Sequence, residues 1–499
     1  MIDALRRIVI VGRDAEAWIA ALALRRALAG RDVAVTLLEL PSQTVATDVI
    51  AAVPAVAALH RMLGVEQRDI VRACAGVPMI GQRFSNWSRT APPFVHAYDD
   101  GAAEELDPPF LHYWLKARQE GLEVAFEDFS LAAAAAKQGR VPTPAAVGGR
   151  CPLPGFQFDA RAYAGLWKRL ALRAGVDHRE GRLLHVERGE HGIAGIRWED
   201  GETYQADLFI DASGAEAILA GATSEDGFEP WSHWLAADRI IIASAPVLTI
   251  LPPFAQVSAF RAGWIGLHPL QARTAITGAF ASRFADDEQL RGLAAIAGAP
   301  IVSDVTVTEF KPGFRPAPWT GNCVALGRTA LELEPLDAIQ LYFLHLGIAH
   351  LLGQLESSAE GSRRLDIYNG TIASHAANIR DFQVAHYRLN RRFDEPLWDA
   401  ARDSAGPPAL DSKIAEFERS GTLPMQANES FQQSNWAQLF IGHGLLPRSY
   451  DSWVDQMPTE DHKALVQGRL GRIAEAVRSM PSVEAYLGDS LRSAPPVEA

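Results

Sequence analysis

The first forty residues constrain the fold most, because strand and helix signals alternate there at fixed spacing. Residues 8–12 (IVIVG) form a β-branched run that ends in glycine, and the stretch up to Gly30 carries apolar residues at helical spacing. A second apolar run, VAVTLLE, ends at Glu39. A β-turn-α-β unit of roughly 30 residues with an acidic residue closing its second strand is the layout of a dinucleotide-binding lobe. The sequence therefore predicts a Rossmann-type α/β domain at the start of the chain.

The middle of the chain continues this organisation. Apolar periodicity predicts a helix over 161–174 and strands over 183–188, 196–199 and 208–210, the last running into Asp211-Ala212-Ser213-Gly214. This order is typical of flavoprotein folds, in which the last strand returns to the first sheet. A further strand ends at Gly327, and a helix is expected from about Asp337.

Beyond Leu352 the pattern is helical, with proline-marked breaks. Helical spacing covers 365–387, 413–419 and 460–478, and the terminal SAPPVEA is expected to fray. We therefore predict an α/β domain over 1–352 and a mostly helical lobe over 353–499.

Composition excludes several classes of partner. The 499 residues carry 47 Lys and Arg against 60 Asp and Glu, a formal charge of −13, whereas nucleic acids and anionic membranes select clustered basic charge. The most apolar stretch, Ile240 to Ala255, is interrupted by polar residues and prolines, and the N-terminus lacks a signal-peptide cleavage site. Three well-separated cysteines without a CxxC pair fit neither a disulfide framework nor a zinc site. We expect a cytoplasmic protein without a metal, nucleic-acid or membrane partner.

Segments spread over nearly the whole chain carry a family resemblance. They are QRFSNW (82–87), FLHYWL (110–115), FQFDARAYA (156–164), DLFIDASG (207–214), WSHWLAADR (231–239), AGWIGLHPLQART (262–274), WTGNCVALG (319–327), LEPLDA (333–338) and NIRDFQVAHY (378–387). Together they identify the chain as a member of the flavin-dependent tryptophan halogenase family.

The resemblance implies both a fold and a chemistry. The fold is a flavoprotein-monooxygenase-like, Rossmann-type FAD domain with an inserted β-sheet substrate region and a mostly helical C-terminal lobe. In the chemistry of the family, reduced flavin and oxygen form a flavin hydroperoxide, and chloride or bromide attacks it. The hypohalous acid formed then crosses a tunnel to a lysine beside an aromatic substrate.

The phosphate loop departs from the family's GxGxxG pattern, although the resemblance implies FAD as the cofactor. Only Gly12 is kept, because Asp14 and Ala17 stand at the second and third positions, where approach to the pyrophosphate and close helix packing favour glycine. Asp14 and Glu16 suit the helix dipole themselves, so we interpret them as a helix cap that has replaced a phosphate site, with Arg13 as partial compensation. The resemblance assigns to the cofactor the residues Gly12, Arg13, Ala17, Glu39, Asp211, Gly214 and Gly327.

A second cofactor contact of the family, a Gly-Glu-rich loop ahead of the helix near Pro54, is also changed. Residues 47–53 read TDVIAAV, without glycine or glutamate, and as written they could continue as ordinary helix. Glu39 and the strand end from Asp211 to Gly214 are kept, but a sheet turn and an exposed strand end use the same residue types without a ligand. The loop sequences therefore bring FAD binding into question.

Two catalytic positions of the family are altered. The lysine falls on Met79, whose thioether has no amine to hold hypohalous acid and would be oxidised by it; the alternative is an apolar gap-filler. The glutamate falls on Asp337, which keeps a carboxylate, but Ala, Ile and Gln replace the Ser-Thr-Gly of the halide site. Asp337 is either catalytic or, more simply, a helix N-cap or first-turn acid.

The pocket walls are better preserved. The tunnel signature WxWxIP appears over 264–269 as WIGLHP, where His268 is either an acid/base group with a pKa near neutrality or a satisfied core residue. The resemblance places His96, Tyr98, Trp264 and Trp436 in the substrate pocket. Such side chains could sandwich a planar small molecule or a peptide side chain, or could hold two lobes together.

Three functions remain open on these residues. Two are enzymes, an FAD-dependent halogenase and a flavin monooxygenase of altered chemistry, each acting on an aromatic, tryptophan-like substrate with reduced flavin from a separate reductase. The third is a family member that has lost halogenation, with FAD binding in question, and acts as a ligand-binding or partner subunit in a homodimer or in a heterodimer with an intact paralogue. Independent changes at the phosphate loop, flavin loop, lysine and halide site favour the third.

Overall fold

The structure, a computed structural model, describes residues 5–98, 106–147, 151–190, 192–223, 227–285, 292–357 and 361–492. The terminal SAPPVEA, for which fraying is expected, lies outside the described residues. Among the helices of the described ranges, none has both the length and the apolar composition that a bilayer crossing requires.

The strands follow one another along the chain as short segments. In order they are β1 (Arg7–Gly12), β2 (Ala34–Glu39), β3 (Val49–Ala52), β4 (Val77–Met79), β5 (Gly81–Ser85), β6 (Phe94–Ala97), β7 (Gly155–Asp159), β8 (Asp177–Glu180), β9 (Leu183–Gly189), β10 (Gly192–Trp198), β11 (Thr203–Tyr204), β12 (Leu208–Ala212), β13 (Glu229–Pro230), β14 (Arg239–Ala245), β15 (Ala255–Phe260), β16 (Gly263–Pro269), β17 (Thr274–Phe280), β18 (Thr306–Glu309), β19 (Gly313–Phe314), β20 (Trp319–Thr320), β21 (Cys323–Ala325) and β22 (Leu331–Glu332).

The longest helices lie towards the end of the chain. The helices are α1 (Asp14–Ala27), α2 (Val56–Met62), α3 (Gln67–Ala73), α4 (Phe110–Gln119), α5 (Leu131–Lys137), α6 (Pro144–Val147), α7 (Ala160–Arg173), α8 (Ala220–Thr223), α9 (Leu293–Ala297), α10 (Gln340–Glu356), α11 (Gly361–Arg388), α12 (Pro396–Asp403), α13 (Pro408–Ser420), α14 (Gln433–Gly442), α15 (Thr459–Ser479) and α16 (Val483–Arg492).

Contacts group the chain into two compact units, each assembled from three segments. Unit 1 comprises Met1–Gly76, Phe158–His233 and Phe310–Ala377, and unit 2 comprises Val77–Gln157, Trp234–Glu309 and Asn378–Ala499. The predicted division at residue 352 is a different partition, drawn from helical content, and stays a prediction.

Unit 1 is built on a sheet of six strands in the order β20-β21-β12-β1-β2-β8. The β-branched run of β1 lies at its centre, parallel to β2 and β12, and is buried except for its first residue. Buried parallel strands require such continuous apolar runs because both sheet faces are covered. The predicted Rossmann-type sheet is confirmed.

Unit 2 contains a sheet of seven strands in the order β18-β14-β17-β16-β15-β5-β6. β15 pairs in parallel with β5, placing Ala255 opposite Gln82. One face of this sheet packs around buried aliphatic residues that include Ile241, Ile265 and Ile276. This sheet is the inserted β region that the resemblance implies, and α12 to α16 supply the helical content expected of the C-terminal lobe.

The helix suggested for residues 47–53 is wrong, because Val49–Ala52 form strand β3. Two β-branched residues, Val49 and Ile50, open this segment, and such residues lose side-chain freedom in a helix. The Asp48 carboxylate accepts from the Val45 backbone N–H at 2.8 Å and so fixes a turn ahead of the strand. The helix that follows begins at Val56.

Candidate functional site

Three neighbouring strands of unit 1 end side by side at the place where doubly wound proteins bind dinucleotides. In the register of the sheet, Gly12 of β1 lies opposite Ala212 of β12 and Glu39 of β2. Helix α1 begins directly after β1, so its unpaired backbone N–H groups lie at this edge. We call this edge, formed by the ends of β1, β2 and β12 and the start of α1, the nucleotide frame. Its side chains determine which ligand it can bind.

Gly12 is required by packing alone. A Cβ at this position would lie 2.6 Å from the Ala212 carbonyl oxygen and 2.8 Å from the Cβ of Ala17. Gly12 and Ala17 therefore set the close approach of β1 and α1. Their assigned contact with a cofactor stays a prediction.

Asp14, at the second glycine position, holds a loop rather than the helix end. Its φ of 56° is left-handed, a conformation that glycine adopts without strain. Its carboxylate accepts from the Ser42 hydroxyl at 2.5 Å and from the Gln43 backbone N–H at 3.1 Å. The prediction that Asp14 caps the helix is therefore wrong, because the carboxylate bonds to the loop after β2 and not to an N–H of α1.

Arg13 is drawn into an internal ion pair. Its guanidinium lies 2.8 Å from the Glu216 carboxylate, which also accepts from the Gln43 side-chain amide at 2.7 Å. The Arg13 side chain is 9 % exposed, so its positive charge is paired with Glu216 and largely shielded from solvent. Because Arg13 is paired with Glu216, its charge does not offset the negative charges of Asp14 and Glu16 for an incoming anion.

Glu16 lies against the turn after β21. Its carboxylate accepts from the Arg328 backbone N–H at 3.1 Å, and a Cβ on Gly327 would collide with it. Burial raises the pKa of Glu16 to about 7, and the nearby Arg328 only partly opposes this. Arg328 itself pairs with Glu332 at 2.8 Å. Glu16 is thus bonded to the neighbouring turn rather than acting as the predicted cap, and the Gly327 turn is shaped to receive its carboxylate.

Glu39, at the position that would accept from a ribose hydroxyl, already accepts from three donors. These are the Trp18 indole N–H at 3.0 Å, the Lys168 ammonium at 2.7 Å and His178 Nε2 at 2.7 Å. Glu39, His178 and Glu180 bring potential metal ligands within 4.8 Å of one another. The Lys168 ammonium, which bonds both carboxylates, already supplies the positive charge there.

Asp211 and Gly214 organise the turn after β12. The buried Asp211 carboxylate accepts from the Ser213 hydroxyl and backbone N–H and from the N–H groups of Leu219 and Ala220, at 2.6–3.0 Å. Burial raises the pKa of Asp211 even though these donors oppose the shift. Gly214, at a φ of 80°, donates its N–H to the Thr329 hydroxyl at 3.0 Å. Both residues therefore stabilise the turn after β12.

These residues do not fit a dinucleotide pyrophosphate. Four carboxylates, those of Asp14, Glu16, Glu216 and Glu332, lie around the start of α1 and the facing turns, where the guanidinium groups of Arg13 and Arg328 already pair with Glu216 and Glu332. A helix N-terminus binds phosphate when its N–H groups and its positive potential are free for an anion. Here the nearby side chains are acidic, and each already accepts hydrogen bonds from neighbouring residues of the chain.

Asp337 lies in a strained turn ahead of α10. Asp337 and Ala338 have φ values of 61° and 57°, two consecutive left-handed residues that are not glycine. The helix begins at Gln340 with Ile339 as its N-cap and has no acidic residue in its first turn. The interpretation of Asp337 as a cap or first-turn acid is therefore wrong. Its catalytic role stays a prediction, and the buried carboxylate sits where the backbone carries roughly 1–3 kcal/mol of strain per residue.

Met79 and His268 belong to unit 2. Met79 is buried in β4, opposite Gly155 of β7. His268 is buried in β16, with Nδ1 2.9 Å from the Gln157 side-chain oxygen, and its Nε2 has no hydrogen-bond partner among the described residues. Burial lowers the pKa of His268 to about 4, so the imidazole is neutral at physiological pH. A neutral imidazole argues against acid catalysis, but the Nε2 that lacks a partner within the described ranges shows that His268 is not a fully satisfied core residue either, so its role stays a prediction.

Three of the four residues assigned to the substrate pocket belong to one aromatic cluster in unit 2. The His96 ring lies 6.1 Å from that of Tyr98 and 5.3 Å from that of Phe382. Phe382 in turn stacks on Phe431 at 3.6 Å and meets Trp436 at 4.8 Å. Trp264 is buried in β16, which is separated from β6, the strand that carries His96, by the two strands β15 and β5. The aromatic walls persist, and within this cluster they pack on one another.

Several residues of the nucleotide frame are not found by sequence reasoning. Glu216 and Lys168 form ion pairs with Arg13 and Glu39, His178 bonds Glu39 through Nε2, and the backbone N–H of Arg328 donates to Glu16. Two of them carried a signal, since Glu216 follows the Asp211 turn and Arg328 follows Gly327. Lys168 and His178 come from α7 and β8, and only the folded sheet brings them to Glu39.

Comparisons with known proteins agree with this architecture. The family model of tryptophan halogenase matches residues 7–459. The chain is 25% identical to the tryptophan 7-halogenase RebH of Lentzea aerocolonigenes, over 96% of this chain and 98% of RebH. Among solved structures it is similar to BrvH, a flavin-dependent halogenase from Brevundimonas sp. BAL3, with a TM-score of 0.91, 27% identity, and coverage of 98% of this chain and 100% of that one. Xcc4156, a flavin-dependent halogenase from Xanthomonas campestris, has a TM-score of 0.91 and 28% identity, with 99% of each chain covered.

Proposed function

The chain belongs to the tryptophan halogenase family, and from this premise we propose that it is a member that has lost halogenation and FAD binding and acts as a ligand-binding or partner protein. One observation carries the proposal: carboxylates, bonded to neighbouring loops, surround the start of α1 where the pyrophosphate would lie. The proposal includes a cytoplasmic location and an intact paralogue, or a second copy of the chain, as partner.

The flavin dependence of the family implies FAD as its cofactor. In this chain a dinucleotide would have to displace the bonds of Asp14 to Ser42 and Gln43 and compete with three donors on Glu39. It would also bring two further negative charges next to the Asp14 carboxylate and next to Glu16, whose ionisation burial already disfavours. Each of these changes opposes binding. Arg13 and Arg328 do not compensate for them, because each guanidinium group already pairs with a glutamate.

The catalytic position supports the same conclusion independently. A buried Met79 offers neither an amine nor a proton to an oxidised halogen species. A residue that reacts with hypohalous acid to form a sulfoxide would consume the oxidant that a halogenase has to deliver. Loss of the amine therefore supports loss of halogenation even where a flavin is supplied.

A second candidate, an FAD-dependent halogenase or monooxygenase supplied with reduced flavin by a separate reductase, is favoured by one feature. The turn at Asp337 and Ala338 keeps a buried carboxylate on two strained residues, and such strain concentrates at functional sites. For this candidate Asp337 would be the acidic group beside an aromatic, tryptophan-like substrate.

We expect no binding of FAD, oxidised or reduced, up to millimolar concentration. Calorimetry, with an anaerobic arm for the reduced form, measures this directly. ADP serves as a second probe because it carries the same diphosphate without the flavin ring, and an intact family member is the positive control. Micromolar binding of FAD would overturn the loss of the cofactor site and favour the second candidate.

We expect that Met79→Lys alone does not produce halogenation. The substitution returns an amine, but the acidic nucleotide frame and the altered sequence after Asp337 remain. The assay supplies FAD, a flavin reductase, NADH, dioxygen, bromide and tryptophan, and detects bromotryptophan by mass spectrometry. Bromotryptophan above the level of the Met79→Leu control would contradict this prediction.

A further inference from the structure

A cavity of about 200 Å³ lies in unit 2, apart from the residues assigned to cofactor and substrate. Aromatic and aliphatic side chains line it, among them Phe94, Trp114, Phe126 and Ile441. Small-molecule sites are typically apolar concavities with a few placed polar groups, and drug-sized ones reach roughly 300–1,000 Å³. A cavity of this size suits a molecule of one or two rings.

Arg118 supplies the charge at this cavity. It stands four residues after Trp114 on α4, so both side chains lie on one face of the helix. Its guanidinium carbon is 5.5 Å from the centre of the Trp114 ring, and the residue lines the cavity. In the described part of the chain no carboxylate forms an ion pair with Arg118, whereas Lys116 on the same helix pairs with Asp455 at 3.1 Å.

Glu127, an acidic residue of the lining, does not satisfy Arg118. One carboxylate oxygen accepts from the Val95 backbone N–H, and the other pairs with the Lys137 ammonium. Lys137 also pairs with Asp128 at 2.7 Å. The lining therefore presents one arginine whose positive charge is not already matched, in a protein whose formal charge is −13.

We propose that this cavity binds an aromatic carboxylate of one or two rings. The ring would pack among Trp114, Phe126 and Phe94, and the carboxylate would accept two parallel hydrogen bonds from the Arg118 guanidinium, a planar donor pair that matches carboxylate geometry. The site extends the proposed function, since a ligand-binding family member needs a ligand site, and it does not depend on whether FAD binds.

Indole-3-carboxylate and its neutral isostere indole-3-carboxamide are the probes, titrated by calorimetry. The full chain is expected to bind the carboxylate at least about tenfold more tightly than the amide, because a charge-assisted bond is roughly twice as strong as a neutral one. Arg118→Ala should weaken carboxylate binding by about tenfold and leave amide binding nearly unchanged. Ala125→Trp, at an exposed position of the rim, should weaken both probes by filling the cavity.

Arg261→Ala is the matched control, since Arg118 and Arg261 are both exposed residues of unit 2 and neither has an ion pair within the described residues. It should bind both probes as the parent chain does. Equal affinity of the parent and Arg118→Ala for the carboxylate, or no binding of the carboxylate to the parent up to millimolar concentration, overturns the site. Flavin binding is a separate titration, so failure here and failure of the proposed function are distinguishable.

Discussion

Replacing Lys413 with methionine is expected to lower the free energy of unfolding by about 3–5 kcal/mol, because it leaves a carboxylate buried without its counter-ion. The Lys413 ammonium lies 2.8 Å from Glu429, and the two side chains are 4 % and 5 % exposed. The ammonium also lies 4.0 Å from the centre of the Trp436 ring, whose indole N–H donates to the same glutamate at 3.2 Å. Urea-unfolding midpoints followed by tryptophan fluorescence measure the change.

Two variants separate the charge effect from the loss of packing. The double variant Lys413→Met/Glu429→Gln removes both charges and should recover most of the lost stability. Arg448→Met breaks an exposed pair with Glu418, at 76 % and 41 % exposure, and should change stability by less than about 1 kcal/mol. A single Lys413 variant no less stable than Arg448→Met would show that the buried pair contributes nothing.

The buried pair gives the aromatic cluster of unit 2 a structural role that does not require the family's chemistry. Glu429 fixes the Trp436 ring through its indole N–H, and Trp436 packs against Phe382. Aromatic positions that resemble a substrate pocket are here also part of a core stabilised by an ion pair. Their retention is therefore compatible with a protein that has lost the reaction.

Local sequence patterns were sufficient to predict the strands and helices whose residues show regular burial along the chain. The buried run of β1, the helix after it and the strand ending at Glu39 appear as predicted, because each pattern reflects burial on a sheet or on one helix face. The helices predicted over 365–387, 413–419 and 460–478 lie within α11, α13 and α15.

Long-range pairing was out of reach of those patterns. β15 pairs with β5, and β7 with β4, across separations that no periodicity records. For the same reason the sequence indicates that Asp14 and Glu16 oppose a phosphate but not which groups they bond. Ser42, Gln43 and Arg328 reach them only once the sheet has formed. Asp337 was misassigned because the left-handed pair before α10 has no glycine to mark it.

The charge of Glu16 makes the nucleotide frame sensitive to pH. Burial raises the pKa of this carboxyl from its ordinary value of 4.5 to about 7 in the folded protein. Between these values the folded state keeps a proton that the unfolded state has released, so stability falls as pH rises from about 4.5 to 7. The contribution of the protonated carboxyl is complete below pH 4.5 and is lost above pH 7.

Glu16→Gln is therefore expected to leave stability nearly unchanged at pH 5 and to raise it by about 3 kcal/mol at pH 8, since each pKa unit corresponds to about 1.4 kcal/mol and the rise from 4.5 to about 7 already includes the opposing attraction of Arg328. The amide oxygen can still accept from the Arg328 N–H, so the turn at Gly327 is kept. Urea midpoints at pH 5, 6, 7 and 8 measure the effect, with the exposed Glu475→Gln as the control that should show none. If Glu16→Gln were instead less stable than the parent at pH 8, the ionised Glu16 would be a favourable partner of Arg328. The acidic filling of the nucleotide frame would then stabilise the fold in its charged form, which would further oppose a bound diphosphate.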